Sequence, residues 1–115
     1  MPQSRFQTTT RDEDIWRVLT LEGSVDVSTF AVFEEELTRP VEQGALFLKL
    51  ELQGLKSINS TGLGLLMAAH RQLRQSGGRL VIEGMSAEIT NIFNLLGFAG
   101  LVDEDEGEAS VAVRR

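Results

Sequence analysis

Hydrophobic and polar positions are patterned most clearly between residues 46 and 73. Apolar side chains occupy every second position from Leu46 to Leu52, which predicts a strand buried mainly on one face, and Gly54 is predicted to end it. Ser60 follows where the strand gives way to a helix, so it is predicted at or next to the helix N-cap. The helix itself is predicted from apolar residues at steps of three and four, namely Leu63, Leu66, Ala69 and Leu73.

Similar patterns predict the other elements of the chain. β-Branched and aromatic residues favour strands, whereas polar caps followed by helically spaced apolar residues favour helices. Pro40 is predicted to kink or end the first helix near Thr38 or Arg39, because proline disfavours the helical conformation of the residue before it. The predicted strands cover 6–10, 15–22, 79–83 and 99–102, and the predicted helices cover 30–41 and 86–96.

The predicted order of elements is β-β-α-β-α-β-α-β. An opening hairpin followed by alternating strands and helices implies right-handed crossovers. The predicted fold class is therefore α/β, with a small, mixed, mostly parallel sheet of about four to five strands packed with helices. A chain of 115 residues suits one domain. We place a single domain at residues 1–103 and assign residues 104–115 to an acidic C-terminal tail.

Composition narrows the possible chemistry. The chain has no cysteine and a single histidine, His70, which excludes structural disulfides, a cysteine nucleophile and histidine- or thiolate-based metal sites. No metal or cofactor is therefore predicted. The net charge is -6 and basic residues are not clustered, so nucleic acid is not a predicted partner. The central apolar run, residues 62–69, is too short for a membrane span, and we expect a cytoplasmic protein without membrane insertion.

Two predicted strand-to-helix junctions carry polar side chains, namely Gly23–Asp26 and Asn59–Gly62. In parallel sheets, binding sites gather where strands end and helices begin, so both junctions would lie at one edge if their strands are neighbours. Ser60 is poorly placed to be a nucleophile, because the single histidine lies ten residues farther along the same helix. Its position suits a helix cap and also a surface hydroxyl with a function, and both interpretations stay open.

Three segments of the chain resemble the motifs of one family. The segment Gly23-Ser24-Val25-Asp26 is similar to a G-x-(hydrophobic)-D loop. Residues 52–64, LQGLKSINSTGLG, are similar to the signature D-(hydrophobic)-S-x-(hydrophobic)-x-x-I-D-S-[ST]-G-L-G, and residues 77–80 introduce the strand that follows it. On these motifs, residues 15–102 resemble a STAS domain of the bacterial anti-sigma factor antagonist family.

The resemblance implies a non-enzymatic regulator that works by partner switching. In the family, the first serine of the D-S-[ST]-G element is phosphorylated by a partner that is both an anti-sigma factor and a serine kinase, and Ser60 matches this position. The unphosphorylated protein would bind this partner and release a sigma factor, phosphorylation would break the complex, and a serine phosphatase would reset it. The residues implied for partner binding are Ser24, Asp26, Asn59, Ser60, Thr61, Gly62 and Leu63.

The chain departs from the family pattern at two places. Asn59 stands where the family usually has Asp, and Glu51–Leu52 where it often has an Asp at the strand end. Asn59 removes a carboxylate beside Ser60, which lessens repulsion toward an added phosphate and changes what a kinase would read there. The alternative function is a STAS scaffold or transporter-associated subunit, in a phospholipid transport or stress-sensing assembly, that docks a partner without phosphorylation.

Overall fold

The computed structural model of the protein describes residues 6–95 and the backbone of residues 111–114. Within these residues the order of elements is the predicted β-β-α-β-α-β-α-β order. The elements are β1 (Gln7–Glu13), β2 (Trp16–Val25), α1 (Phe30–Glu42), β3 (Phe47–Ile58), α2 (Ser60–Gln75), β4 (Arg79–Glu83), α3 (Ala87–Leu95) and β5 (Val111–Arg114).

The strands form a sheet in the order β1-β2-β3-β4-β5. β1 and β2 are an antiparallel hairpin, and β2 to β5 run parallel to one another. Asp14, in the hairpin turn, has a φ of 57°, a left-handed conformation that aspartate adopts more readily than most residues. The predicted fold class, a mixed and mostly parallel sheet packed with helices, is confirmed.

The three described helices pack on one face of the sheet. Residues that point to this face are in register, since Leu19 of β2 pairs with Leu50 of β3, which pairs with Ile82 of β4. All the helices contribute side chains to the same buried cluster as these strands; they include Phe33, Leu37, Leu63, Leu66, Leu73, Ile89 and Phe93. In this packing α1 contacts β2, and α2 contacts β3 and β4.

The opposite face of the sheet carries paired charges. The Lys49 ammonium lies 5.6 Å from the centre of the Trp16 ring. The Arg11 guanidinium contacts Glu13 at 2.8 Å and Glu51 at 2.9 Å, and the hydrogen bond from Arg11 is the main cause of the lowered pKa of Glu51. Val18 and Val81, which are in register with Lys49, are buried on this face, and the charges around them pair with one another. This face is therefore not the candidate site.

The first helix differs from the prediction at Pro40. α1 continues through Pro40 and ends at Glu42, so the predicted end near Thr38 or Arg39 is wrong. Pro40 lies in the last turn of the helix, where its missing N–H removes a single hydrogen bond, and its ring is buried. The end of a helix tolerates a proline that the middle would not.

The prediction that Gly54 ends the central strand is also wrong. β3 passes through Gly54 and continues to Ile58. Gly54 pairs with Glu22 of β2 where the register between the two strands shifts, and a Cβ on Gly54 would lie 2.8 Å from the Glu22 Cγ. The glycine admits the side chain of a neighbouring strand, which allows β3 to reach the edge of the sheet where the candidate site lies.

The C-terminal part of the chain is described only in its last strand. The predicted strand at residues 99–102 lies outside the described residues. β5 pairs in parallel with β4, so residues 111–114 of the segment assigned to an acidic tail, residues 104–115, lie in the sheet. The domain boundary at residue 103 stays a prediction.

Candidate functional site

The two polar junctions lie side by side at one edge of the sheet. β2 and β3 are parallel neighbours, and their last residues, Val25 and Ile58, are paired. The Asn59 N–H donates a hydrogen bond of 3.0 Å to the Val25 carbonyl, which ties the second junction to the end of β2. Asp26 and Asn59 therefore leave the sheet next to each other, as expected for the ends of neighbouring parallel strands.

Asn59 is the N-cap of α2. Its side-chain oxygen accepts the N–H of Gly62 at 2.8 Å, and its carbonyl accepts the N–H of Leu63 at 3.0 Å. Ser60 is the first residue of the helix, directly after the cap. Since Asn59 caps the helix, the Ser60 hydroxyl is not needed to begin it.

Ser60 and Thr61 present their hydroxyls to solvent. Both residues are exposed, and within residues 6–95 neither hydroxyl makes a hydrogen bond. Their backbone N–H groups have no acceptor inside the helix, as is general for a first turn, and this turn contains no acidic residue. The two hydroxyls thus lie at the positive end of a helix dipole, where added negative charge is tolerated.

Gly62 and Leu63 follow Ser60 and Thr61 at the start of α2, and both are buried. A Cβ on Gly62 would lie 2.8 Å from the Ile58 Cγ1 and 3.0 Å from the Val25 Cγ1, so glycine is what lets the helix start pack on both strand ends. Leu63 is fully buried in the core. Both residues are buried, and their packing fixes the start of α2 where Ser60 lies. The role in partner binding that the resemblance implies for them stays a prediction.

Gly64 differs from Gly62 although both are in the first turns of α2. It is exposed, and a Cβ added to it would meet no atom within 4 Å. Glycine inside a helix costs roughly 1 kcal/mol relative to alanine, and no contact of the described residues requires it here. Residues four apart share a helix face, so the bare backbone of Gly64 leaves room for another molecule beside Ser60.

Asp26 organises the junction between β2 and α1. Its Oδ1 accepts the Ser28 hydroxyl at 2.8 Å, the Ser28 N–H at 2.9 Å and the Thr29 N–H at 3.2 Å. The Ser28 hydroxyl is the main cause of the lowered pKa of Asp26. The buried Thr29 hydroxyl donates to the carbonyl of the half-buried Ser24 at 2.7 Å and accepts the Asp26 N–H at 3.0 Å. Internal hydrogen bonds therefore close this junction, with the exposed Asp26 carboxylate at its surface.

Val27 is a residue of the site that sequence analysis missed. It lies between Asp26 and Ser28 and is 91% exposed, more than any other large hydrophobic residue of the described chain. The available signal was an apolar residue inside a turn of polar residues, because turns that only connect elements favour polar side chains. The edge of the sheet thus combines two hydroxyls, one carboxylate and one apolar side chain.

His70 does not belong to this site. It is buried within α2, about 15 Å along the helix from Ser60. Burial is the main cause of its lowered pKa, followed by the charges of Arg74 and Arg71. Its Nδ1 has no hydrogen-bond partner among the described residues. Its distance from Ser60 agrees with the prediction that Ser60 is not a histidine-activated nucleophile.

Sequence comparisons connect the chain to a family. A family model described as "Mlab, STAS domain" matches residues 8–103. The anti-sigma-B factor antagonist of Staphylococcus aureus (strain NCTC 8325 / PS 47) is 32% identical over 102 residues, which cover 89% of this chain and 93% of that protein.

Solved structures share the fold. The crystal structure of an anti-sigma factor antagonist from Mycobacterium paratuberculosis matches with a TM-score of 0.73 at 22% identity, over 81% of this chain and 79% of that one. The Bacillus cell fate determinant SpoIIAA, in its phosphorylated form, matches with a TM-score of 0.66 at 19% identity, over 96% of this chain and 92% of that one.

These relationships agree with the motifs and with the order of strands and helices. The relatives are named as antagonists of regulatory proteins, and the prediction of a non-enzymatic protein is confirmed by them. In the part of the chain that the structure describes, no helix has both the length and the apolar character needed to cross a bilayer. The chain belongs to the STAS domain family of anti-sigma factor antagonists.

Proposed function

We propose that the protein is an anti-sigma factor antagonist controlled by phosphorylation of Ser60. In its unmodified form it binds an anti-sigma factor that is also a serine kinase, and a sigma factor is released. Phosphorylation of Ser60 ends this binding, and a serine phosphatase restores it. The observation that carries the proposal is the exposed Ser60 hydroxyl at the start of α2, where Asn59 alone caps the helix.

Phosphoryl transfer to Ser60 would use ATP bound by the partner. The Ser60 Oγ attacks the γ-phosphorus, the Oγ–P bond forms as the bond to the β-phosphate oxygen breaks, and ADP leaves. The hydroxyl proton passes to a base of the kinase, so no base of this chain is required. An exposed hydroxyl that makes no hydrogen bond within residues 6–95 is available for this reaction without disturbing the fold.

The fold should tolerate the phosphate. A phosphoserine carries about −1.5 to −2 charges at neutral pH. At residue 60 this charge lies at the positive end of the α2 dipole, beside the N–H groups of Ser60 and Thr61, which have no acceptor inside the helix. The side chain of Asn59 is neutral, so the neighbouring residue does not repel the phosphate. Phosphorylation should therefore leave the free energy of unfolding nearly unchanged.

A docked partner should not tolerate the phosphate. Two like charges about 4 Å apart repel by about 4 kcal/mol at an effective dielectric constant near 20. Since about 1.4 kcal/mol corresponds to a tenfold change in affinity, a phosphate facing a partner carboxylate weakens binding by about two to three decades. The switch then needs no change of conformation in this protein.

Incubation with ATP and the anti-sigma kinases of the same genome tests the proposal. The intact mass should rise by the mass of one phosphoryl group. Ser60→Ala should abolish this gain, whereas Ser76→Ala, which removes an exposed hydroxyl at the other end of α2, should preserve it. If the wild-type protein gains no phosphate, or if Ser60→Ala gains it at the wild-type rate, the phosphorylation switch is excluded.

The alternative function is a scaffold or transporter-associated subunit that docks a partner without phosphorylation. The observation that favours it is Asn59, which stands where the family usually has Asp. Asn and Asp cap helices about equally well, so Asn59→Asp changes the charge beside Ser60 and leaves the start of α2 intact. If the kinases phosphorylate Asn59→Asp but not the wild-type protein, Asn59 has removed the switch and the alternative is favoured. Equal phosphorylation of both proteins favours partner switching.

A further inference from the structure

We propose that Val27 is an apolar contact with the anti-sigma factor and that Asp26 contributes to binding by positioning Val27. The inference rests on the proposed function, because it assigns a further contact to the same docking surface. We define the docking surface as Val27 together with the exposed residues Ser60, Thr61 and Gly64.

The loop holds Val27 outward through hydrogen bonds on both sides of it. On one side, the Asp26 N–H donates to the Thr29 hydroxyl at 3.0 Å, and the same hydroxyl donates to the Ser24 carbonyl at 2.7 Å. On the other side, the Ser28 N–H and hydroxyl both donate to the Asp26 Oδ1, at 2.9 and 2.8 Å. Both neighbours of Val27 are thus fixed, while its own side chain is 91% exposed.

An apolar side chain fixed in this way is suited to binding. Ordering an interface costs free energy, and a residue already held in its bound position avoids part of that cost. Valine has one stiff rotatable bond, so little side-chain entropy remains to be lost. Burying it in a recess of the partner strengthens binding by roughly 10- to 100-fold. The partner surface that fits is an apolar recess beside polar groups that face Ser60 and Thr61.

The contacts of Asp26 lie inside its own loop. All four hydrogen bonds to its side chain come from Ser28 and Thr29, and all of them end on Oδ1. Asparagine offers the same acceptor without the charge, so Asp26→Asn should keep the loop closed and preserve binding. Asp26→Ala removes the acceptor, frees the loop around Val27 and should weaken binding. A direct charge contact with the partner would make the two substitutions equally harmful.

Calorimetric binding of the full chain to the anti-sigma factors of its own genome tests the role of Val27. Val27→Ser should weaken binding by roughly 10- to 100-fold without lowering the melting temperature, because the side chain is exposed. Ile15→Ser is the matched control. Ile15 is also β-branched, is 65% exposed, and lies at the opposite end of β2, so its substitution should leave affinity unchanged.

Each outcome bears on one claim. Wild-type affinity in Val27→Ser overturns the contact, and equal losses in Asp26→Asn and Asp26→Ala overturn the positioning role. If Asp26→Asn binds with wild-type affinity and Asp26→Ala binds more weakly, the positioning role is supported, since loss of the charge alone is then harmless. If the wild-type chain binds none of the anti-sigma factors, the proposed function fails and this inference fails with it. If the wild-type chain binds but Val27→Ser binds equally well, only this inference fails.

Discussion

The two helix starts at the edge of the sheet are built in opposite ways. At the start of α1, the polar side chains of residues 26–29 bond to one another and to the Ser24 carbonyl. At the start of α2, Asn59 caps the helix, and the hydroxyls of Ser60 and Thr61 make no hydrogen bond within the described chain. Similar residue types at neighbouring strand ends therefore form one closed junction, before α1, and one open junction, before α2.

This difference suits the two junctions to different tasks. The closed junction fixes its backbone and so presents Val27 in one position. The open junction contains a hydroxyl that the fold does not use, and such a group can be modified without loss of stability. A switch that works by docking needs both properties, a rigid surface that a partner recognises and a free group whose chemistry can change.

The largest effect is expected when a charge is placed on the open junction. Ser60→Asp should weaken binding to the anti-sigma factor by about 100-fold or more, because the charge faces the docked partner. Its melting temperature should not fall, since a carboxylate in the first turn favours the helix dipole. Ser60→Asn has nearly the same size without the charge and should bind within about tenfold of the wild type. Equal calorimetric affinities for the two variants would show that charge is not what breaks the complex.

A smaller effect is expected from opening the closed junction. Thr29→Val keeps the shape of a buried residue but leaves the Asp26 N–H and the Ser24 carbonyl without their partner. The free energy of unfolding in urea should fall by about 1–3 kcal/mol. Ser60→Ala removes a hydroxyl from the open junction and should change it by less than about 0.5 kcal/mol. If both variants lose the same stability, the two junctions do not differ as described.

The order of elements could be predicted because each element buries one face. Alternation along β3 and steps of three and four along α2 result directly from that burial. The proximity of Asp26 and Ser60 also follows from a general rule, since parallel neighbouring strands end at the same edge. The resemblance of the two loops to family motifs identifies the same two residues as candidates for the site.

The finer geometry of the site could not be predicted from the sequence. Asn59, Ser60 and Thr61 are consecutive and all are good caps, so only the 2.8 Å contact of the Asn59 side chain with the Gly62 N–H identifies the cap. The exposure of Val27 depends on hydrogen bonds across a loop. Such hydrogen bonds produce no periodic pattern of hydrophobic and polar residues in the sequence. The sequence also does not distinguish a glycine that ends a strand from one, such as Gly54, that makes room for a neighbouring side chain.

The two glycines of α2 should give changes of opposite sign. Gly62→Ala places a methyl group 2.8 Å from the Ile58 Cγ1 and should lower the free energy of unfolding by roughly 1–3 kcal/mol. Gly64→Ala adds a methyl group in open space and should raise it by about 0.4–1 kcal/mol, because alanine favours the helix and restricts the unfolded chain. Urea denaturation measures both values. A stabilised Gly62→Ala protein would mean that the start of α2 is not packed tightly on the strand ends.

The smallest effect is expected from the titration of Asp26 at low pH. Of the two junctions, only the closed one should respond to it. The Asp26 pKa is lowered, chiefly by the hydrogen bond from the Ser28 hydroxyl, whereas residues 59–61 contain no titratable side chain. Above the unfolded-state pKa of about 3.9 the carboxylate is ionised in both states, and its contribution to stability is fully present. As the pH falls, the unfolded state takes up the proton first. Stability therefore declines until the pH passes the folded-state pKa, where this contribution is lost.

Asp26→Asn isolates this titration, because asparagine keeps the acceptor and cannot ionise. Between about pH 5 and about pH 3, the free energy of unfolding in urea should fall less for this variant than for the wild type. The other carboxylates are present in both proteins, so their titration cancels in the difference. Parallel losses in the two proteins would mean that the hydrogen bonds of Asp26 do not depend on its charge. The closed junction would then owe its rigidity to the Thr29 hydroxyl, which joins the Asp26 N–H to the Ser24 carbonyl at any pH.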